Sequence, residues 1–154
     1  MRGGFTRAPH HQQTKSGTCL PACARMVLAH LGDLRSENDL ARVLASYEFG
    51  TPASNVRKLA QLGYRVEYGA MQWQDLIRAV MDNLHPIVFV DAQFLPWADF
   101  TGFHAVVVDA IDDDRIELLD PASQNAPQVL SKDGFLAAWE EFDRRAAIIS
   151  QRRE

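Results

Sequence analysis

The chain has 154 residues, 47% of them apolar, which is enough for a single domain around one core. Its net charge is -4 and its 13 arginines and three lysines are scattered, which argues against a nucleic-acid surface and against attraction to a membrane. No apolar run approaches the roughly 18 residues of a spanning helix, and the first residues lack the apolar core of a secretory signal, so a soluble, cytoplasmic protein is expected.

Residues 1–11 mix Gly, Arg, Pro and His without periodicity and are expected to form a flexible N-terminal arm. Gly3-Gly4 fits that arm better than a cleavable leader, and His10 and His11 read as solvent-facing. A single domain is expected over residues 12–150, with a charged tail at 151–154. Ser16-Gly17-Thr18 predicts a turn into a helix whose apolar face carries Leu20, Cys23, Ala24, Val27, Leu28 and Leu31. Thr18 is its expected cap, Pro21 is tolerated in the first turn, and Gly32 ends it. Ser36-Glu37-Asn38-Asp39 resembles a capping box for a second helix through Leu40, Val43, Leu44 and Tyr47. Thr51-Pro52 starts a third over Val56, Leu59 and Leu62, and Gly63 stops it.

Tyr64, Val66 and Tyr68 alternate with Arg65 and Glu67 as a half-buried strand does. Trp73, Leu76, Ile77, Val80, Met81 and Leu84 then predict an amphipathic helix with Trp73 and Met81 in the core. Residues 86–90 form a short apolar strand, and residues 91–102 are too broken for a regular element. Trp97 and Phe100 in that loop read either as a substrate-binding rim or as cover for the core edge. Strands over 104–111 and 115–120, parted by three aspartates, signal a hairpin. Matching Val108 with Ile116, Val106 with Leu118 and Asp109 with Arg115 sets His104 directly opposite Asp120. Ser131 caps a late helix with Phe135, Leu136, Trp139 and Phe142, and residues 146–149 are a last strand. Helices mostly first and strands mostly later make an α+β fold with an antiparallel sheet.

Three residues stand out for chemistry. Cys19 lies at the positive end of a helix, beside amides that no helical carbonyl satisfies. That setting favours a thiolate and offers donors to an oxyanion. Cys23, four residues on, falls in the apolar stripe and reads as core. The cysteine spacing suits neither a disulfide framework, nor a four-ligand zinc site, nor a Cys-x-x-Cys redox pair. His104 opens its strand and Asp120 closes the next, with Asp91 the alternative carboxylate because it too ends a strand.

The order Gln13, Cys19, His104, Asp120-Pro121 resembles the papain-like cysteine peptidases, and above all the bacteriocin-processing, double-glycine leader peptidases. The resemblance runs from about Gln12 to Ile149 and departs at Leu20-Pro21, where many members carry Gly after the nucleophile. It implies a papain-like fold, N-terminal helices packed on a C-terminal antiparallel sheet. It also implies a catalytic Cys19, His104 as base, Asp120 as its orienting carboxylate and Gln13 as oxyanion donor. No metal or organic cofactor is expected. A peptide or protein substrate is, together with a separate transporter, because many relatives are fused to a transporter's membrane domain. Two rival readings are amide transfer or deamidation by the same triad, and a non-catalytic peptide-binding module.

Overall fold

Two central strands, β2 (Ile87–Asp91) and β3 (Phe103–Ile111), carry the molecule. Both read as near-continuous apolar runs because both of their faces are covered: Ile87, Phe89, Ala105 and Val107 enter one core, and Val88, Val90, Val106 and Val108 enter another. In the structure, a computed structural model describing residues 5–152, they belong to a six-stranded sheet of order β1-β6-β2-β3-β4-β5. The other strands are β1 (Tyr64–Ala70), β4 (Arg115–Leu119), β5 (Gln128–Ser131) and β6 (Arg145–Gln151), and every pairing is antiparallel. Gly3-Gly4 and the last two tail residues lie outside the described residues.

Helices α1 (Cys19–His30) and α2 (Glu37–Val43) cover the first core, with a 3₁₀ helix, Ala53–Leu62. Helices α3 (Trp73–Met81) and α4 (Lys132–Glu140) cover the second. The expected α+β arrangement is therefore present, with helices on both faces of the sheet. Local chemistry explains most boundaries. Ser36 accepts from the Asp39 amide at 3.1 Å and starts α2, Ser131 accepts from Gly134 at 3.1 Å and starts α4, and Gln72 and Asp75 cap α3 reciprocally.

Several expectations are corrected. The third helix is 3₁₀: the Thr51 hydroxyl lies 2.6 Å from that of Ser46 and does not cap it, and the entry closes through an Asn55 amide bond to the Pro52 carbonyl at 3.0 Å. Met81 is 74% exposed, so only Trp73 of that pair is core. Gln151 belongs to β6, and its side chain donates to the Leu31 carbonyl at 3.0 Å. Strand β5 has no counterpart in the sequence reading.

The hairpin register also differs. Val108 faces Leu118 and Val107 faces Leu119, with a bulge between Val108 and Ala110. Asp109 sits in that bulge, 1% exposed, and meets the Arg7 guanidinium at 2.6 Å and the Ala8 amide at 3.1 Å rather than Arg115. Asp112 accepts from the amides of Asp114 and Arg115 and donates its own amide to the Arg115 carbonyl, so the turn is tighter and lies later in the chain than the expected pairing placed it.

Residues 5–11 are not a loose arm. Thr6 donates to Asn83 at 2.9 Å, and its carbonyl lies 2.8 Å from His85 Nε2, whose Nδ1 faces the Val108 carbonyl at 3.0 Å. Arg7 pairs with Asp109 and Glu117, and His10 Nε2 donates to the Asp120 carbonyl at 2.9 Å. The segment is a strap bonded across α3's end and the β3–β4 hairpin, so His10 is not simply solvent-facing.

Candidate active site

The strap ends at Gln13, whose amide donates to the Pro121 carbonyl at 2.7 Å. Next to it, Thr14 donates through both its amide and its hydroxyl to Glu37, a carboxylate only 4% exposed. This buried acid pins the approach to α1. Nothing in a single sequence marks Glu37 for the task, because it looks like an ordinary first-turn acid of α2.

Thr18 stands at the N-cap position of α1, but its hydroxyl turns back to the Lys15 carbonyl at 2.7 Å and makes no cap bond. The first-turn amides around Cys19 are therefore left without a side-chain acceptor. Gly17 has φ +85, and a Cβ there would meet the backbone of Glu48, Phe49 and Gly50 at 3.1–3.2 Å. Only glycine lets this turn lie against the 47–50 loop. Cys19 is 8% exposed at the floor of a cleft of about 440 Å³, which Gln13, Gly17, Phe49, Phe100, Phe103 and His104 also line.

His104 Nε2 lies 2.6 Å from Asp120 Oδ1, with both residues at least 98% buried. Carried on by one residue, the observed register sets Asp120 against Val106, so the imidazole reaches its carboxylate diagonally. The pair that the sequence analysis placed face to face is thus formed, through a different pairing. Burial, the largest influence, opposes charge on the ring. Hydrogen bonds to Asp120 and Cys19, followed by their charges, outweigh it and raise His104 to about 9. For Asp120, burial again opposes ionisation, but His104, Trp97 and the Ala122 amide prevail and hold the carboxyl below its ordinary value. Since Nε2 is engaged by Asp120, Nδ1 is the ring nitrogen left for Cys19.

Trp97 donates its indole N–H to Asp120 Oδ2 at 2.8 Å, so this side chain supports the carboxylate from a loop expected to form a substrate rim. Phe100 does line the cleft and packs edge-on against His104 with centroids 4.9 Å apart. Asp91 instead accepts from the amides of Gln93 and Gly102 and closes its own loop. The Gln13 carboxamide donates to the Lys15 carbonyl at 2.8 Å, leaving the second hydrogen of its NH₂ group for another acceptor, while Gln12 is exposed. Cys23 is fully buried, and burial first, then the Cys19 and Asp120 charges, push its thiol well above 9. Among the described residues no cluster of three His, Cys, Asp or Glu side chains could hold a metal ion, and no helix is long and apolar enough to cross a membrane.

A family model described as the Peptidase_C39 like family matches residues 5–147. The chain belongs to this family. As a C39-like chain it shares its fold with a C39-like peptidase from Bacillus anthracis, at 14% identity and TM-score 0.76 over 96% of each chain. It is similar to the peptidase domain of Streptococcus ComA, a bifunctional ABC transporter of a quorum-sensing pathway, at 20% identity and TM-score 0.73 over 93% of this chain and 98% of that one. A double-glycine motif protease from an AMS/PCAT transporter, solved with its leader peptide, aligns at 18% identity and TM-score 0.72 over 97% and 95%. Among curated proteins none matches. These structural superpositions establish the shared fold, and the papain-like arrangement of helices on an antiparallel sheet is borne out.

Proposed function

We propose that this C39-like chain is a cysteine peptidase, with Cys19 as nucleophile, His104 as general base and acid, Asp120 as orienting carboxylate and Gln13 as oxyanion donor. The observation that carries the reading is the buried His104–Asp120 contact of 2.6 Å, with His104 and Cys19 lining one cleft. With His104 raised to about 9, the ring holds the proton as an imidazolium paired with the Cys19 thiolate, and the sulfur attacks a peptide carbonyl. The tetrahedral oxyanion accepts from the Cys19 backbone N–H and from the free hydrogen of the Gln13 carboxamide. Collapse expels the amine, which His104 protonates, and water then hydrolyses the thioester with His104 again as base. Throughout, Asp120 fixes the tautomer by accepting from Nε2.

The substrate is a peptide or protein, and the relative solved with a leader peptide supports a leader-like segment exported by a separate transporter. The test is incubation with a peptide library followed by mass spectrometry. Cleavage yields two fragments, whereas deamidation adds about one dalton by the same acyl chemistry. Undiminished turnover by a Cys19→Ala variant would remove the nucleophile and with it the proposal.

A further inference from the structure

The strap, α1 and the link between α1 and α2 enclose a second pocket, of about 350 Å³, which shares no lining residue with the cleft. Its lining is His11 from the strap, Arg25 and Ala29 from α1, and Leu34, Arg35 and Ser36 from the link. Both charged residues on it are arginines, in a chain whose net charge is -4. Arg25 is half-buried, yet among the described residues its guanidinium makes no hydrogen bond and no ion pair. A partly desolvated cation without a partner is unfavourable, and an anion beside it removes that cost.

The other polar groups on the lining also have donors to spare. Arg35 gives its Nε to Asp33 at 2.9 Å, which leaves both terminal NH₂ groups. Asp33 itself is shared with the Tyr64 hydroxyl, and Glu37, next to Ser36, is taken up by Thr14. Ser36 accepts from the Asp39 amide at 3.1 Å and keeps its own hydroxyl hydrogen to give. The His11 ring makes no hydrogen bond among the described residues; burial first, then the charges of Arg25 and His10, hold it below 6.5. Donors from three segments thus meet at one volume. A planar carboxylate is served by a single guanidinium fork, whereas a tetrahedral oxyanion can use donors from several directions.

We propose that this pocket binds a phosphate-class oxyanion, free or carried on a small apolar body, between Arg25, Arg35, Ser36 and His11. Ala29 and the exposed Leu34 supply the apolar surface for such a body. The bound ion ties the strap to α1. His11 follows His10, which holds the Asp120 carbonyl, and stands two residues before Gln13, so the ion fastens the strap where it enters the cleft. None of this requires Cys19 to be a nucleophile.

The test is isothermal titration calorimetry on the full chain with inorganic phosphate, phenyl phosphate and N-acetylglutamate, in sodium chloride at constant ionic strength. At least one of the two phosphates should bind with a Kd of about 1 mM or tighter and raise the melting temperature. Tighter binding of phenyl phosphate assigns a phosphorylated small molecule; equal or weaker binding assigns the free ion. Arg25→Gln should weaken phosphate about 10-fold or more, with circular dichroism and melting in chloride matching the parent. His11→Ala, on a separate segment, should weaken it about 3-fold, and Arg65→Gln, an exposed arginine on β1, should leave it unchanged. NMR of labelled histidine should show His11 titrating higher with phosphate than without, because the anion offsets Arg25. No saturable binding of either phosphate, an unaltered affinity in Arg25→Gln, or N-acetylglutamate binding as tightly as phosphate overturns the inference. Should Arg25→Gln fail to fold, a His11 titration in the parent protein that phosphate does not move overturns it equally.

Discussion

Asp120→Asn tests how the buried pair is held. The carboxylate accepts three bonds: His104 Nε2 and the Ala122 amide on Oδ1, and the Trp97 indole on Oδ2. An asparagine has only one acceptor oxygen. Facing it toward His104 and Ala122 keeps two bonds and sets NH₂ against the indole donor, so the imidazole tautomer survives and the charge does not. The rise of His104 from 6.5 to about 9 corresponds to roughly 3 kcal/mol in favour of the protonated ring, net of burial. Without the carboxylate, burial remains as the largest influence, and His104 should titrate well below 9. A pKa raised by folding stabilises fully below the unfolded value near 6.5, and that contribution fades as pH climbs through about 9. Urea unfolding should therefore show the variant's deficit at its largest near pH 6 and shrinking toward pH 10. NMR titration of labelled histidine reads His104 directly, and kcat/KM should fall roughly 10²–10⁴-fold. A variant ring still titrating near 9, or a deficit that grows with pH, would refute the argument.

Limited iodoacetamide near neutral pH should label Cys19 well before Cys23, whose thiol is fully buried and pushed well above 9; peptide mapping reads the ratio. Gln13→Ala should cost roughly 10²–10³-fold in turnover with little change in melting temperature, while exposed Gln12→Ala should be nearly silent in the same assay. Trp97→Phe keeps the ring but removes one donor from Asp120, and a fall of about 10-fold in kcat/KM with an intact circular dichroism spectrum is expected.

What was legible in the sequence was whatever depends on near neighbours. The helix start at Cys19, the strand start at His104 and the Asp-Pro at the close of β4 are local patterns, and each stands within one residue of where its pattern put it. Failures came where a partner from far along the chain decides the outcome. Asp109 looked like a match for Arg115 because both lie on one hairpin, but the strap supplies Arg7 and the Ala8 amide, and the bulge follows from that. The strap itself has no periodicity to read, since its bonds are to backbone and to single side chains. Trp97 gave an aromatic in a loop; that its N–H is spoken for by Asp120 is a tertiary fact. Phe49 sits in a turn that lies against Gly17, a contact between distant segments that neither local sequence announces.

The strap also joins two parts of the chemistry that lie far apart in sequence. His10 holds the carbonyl of Asp120 and the Gln13 amide holds the carbonyl of Pro121, so the proposed orienting carboxylate and the proposed oxyanion donor hang on adjacent rungs of one short ladder. Displacing residues 6–8 from Asn83 and Asp109 loosens that ladder from its far end, as slack in a cord is felt at the knot. Apart from Ala8, the buried residues of both cores come from outside the strap. On mild heating the site should therefore lose its alignment while β2 and β3 are still fully protected from hydrogen exchange, so catalytic temperature limits would be set by the strap and not by the core.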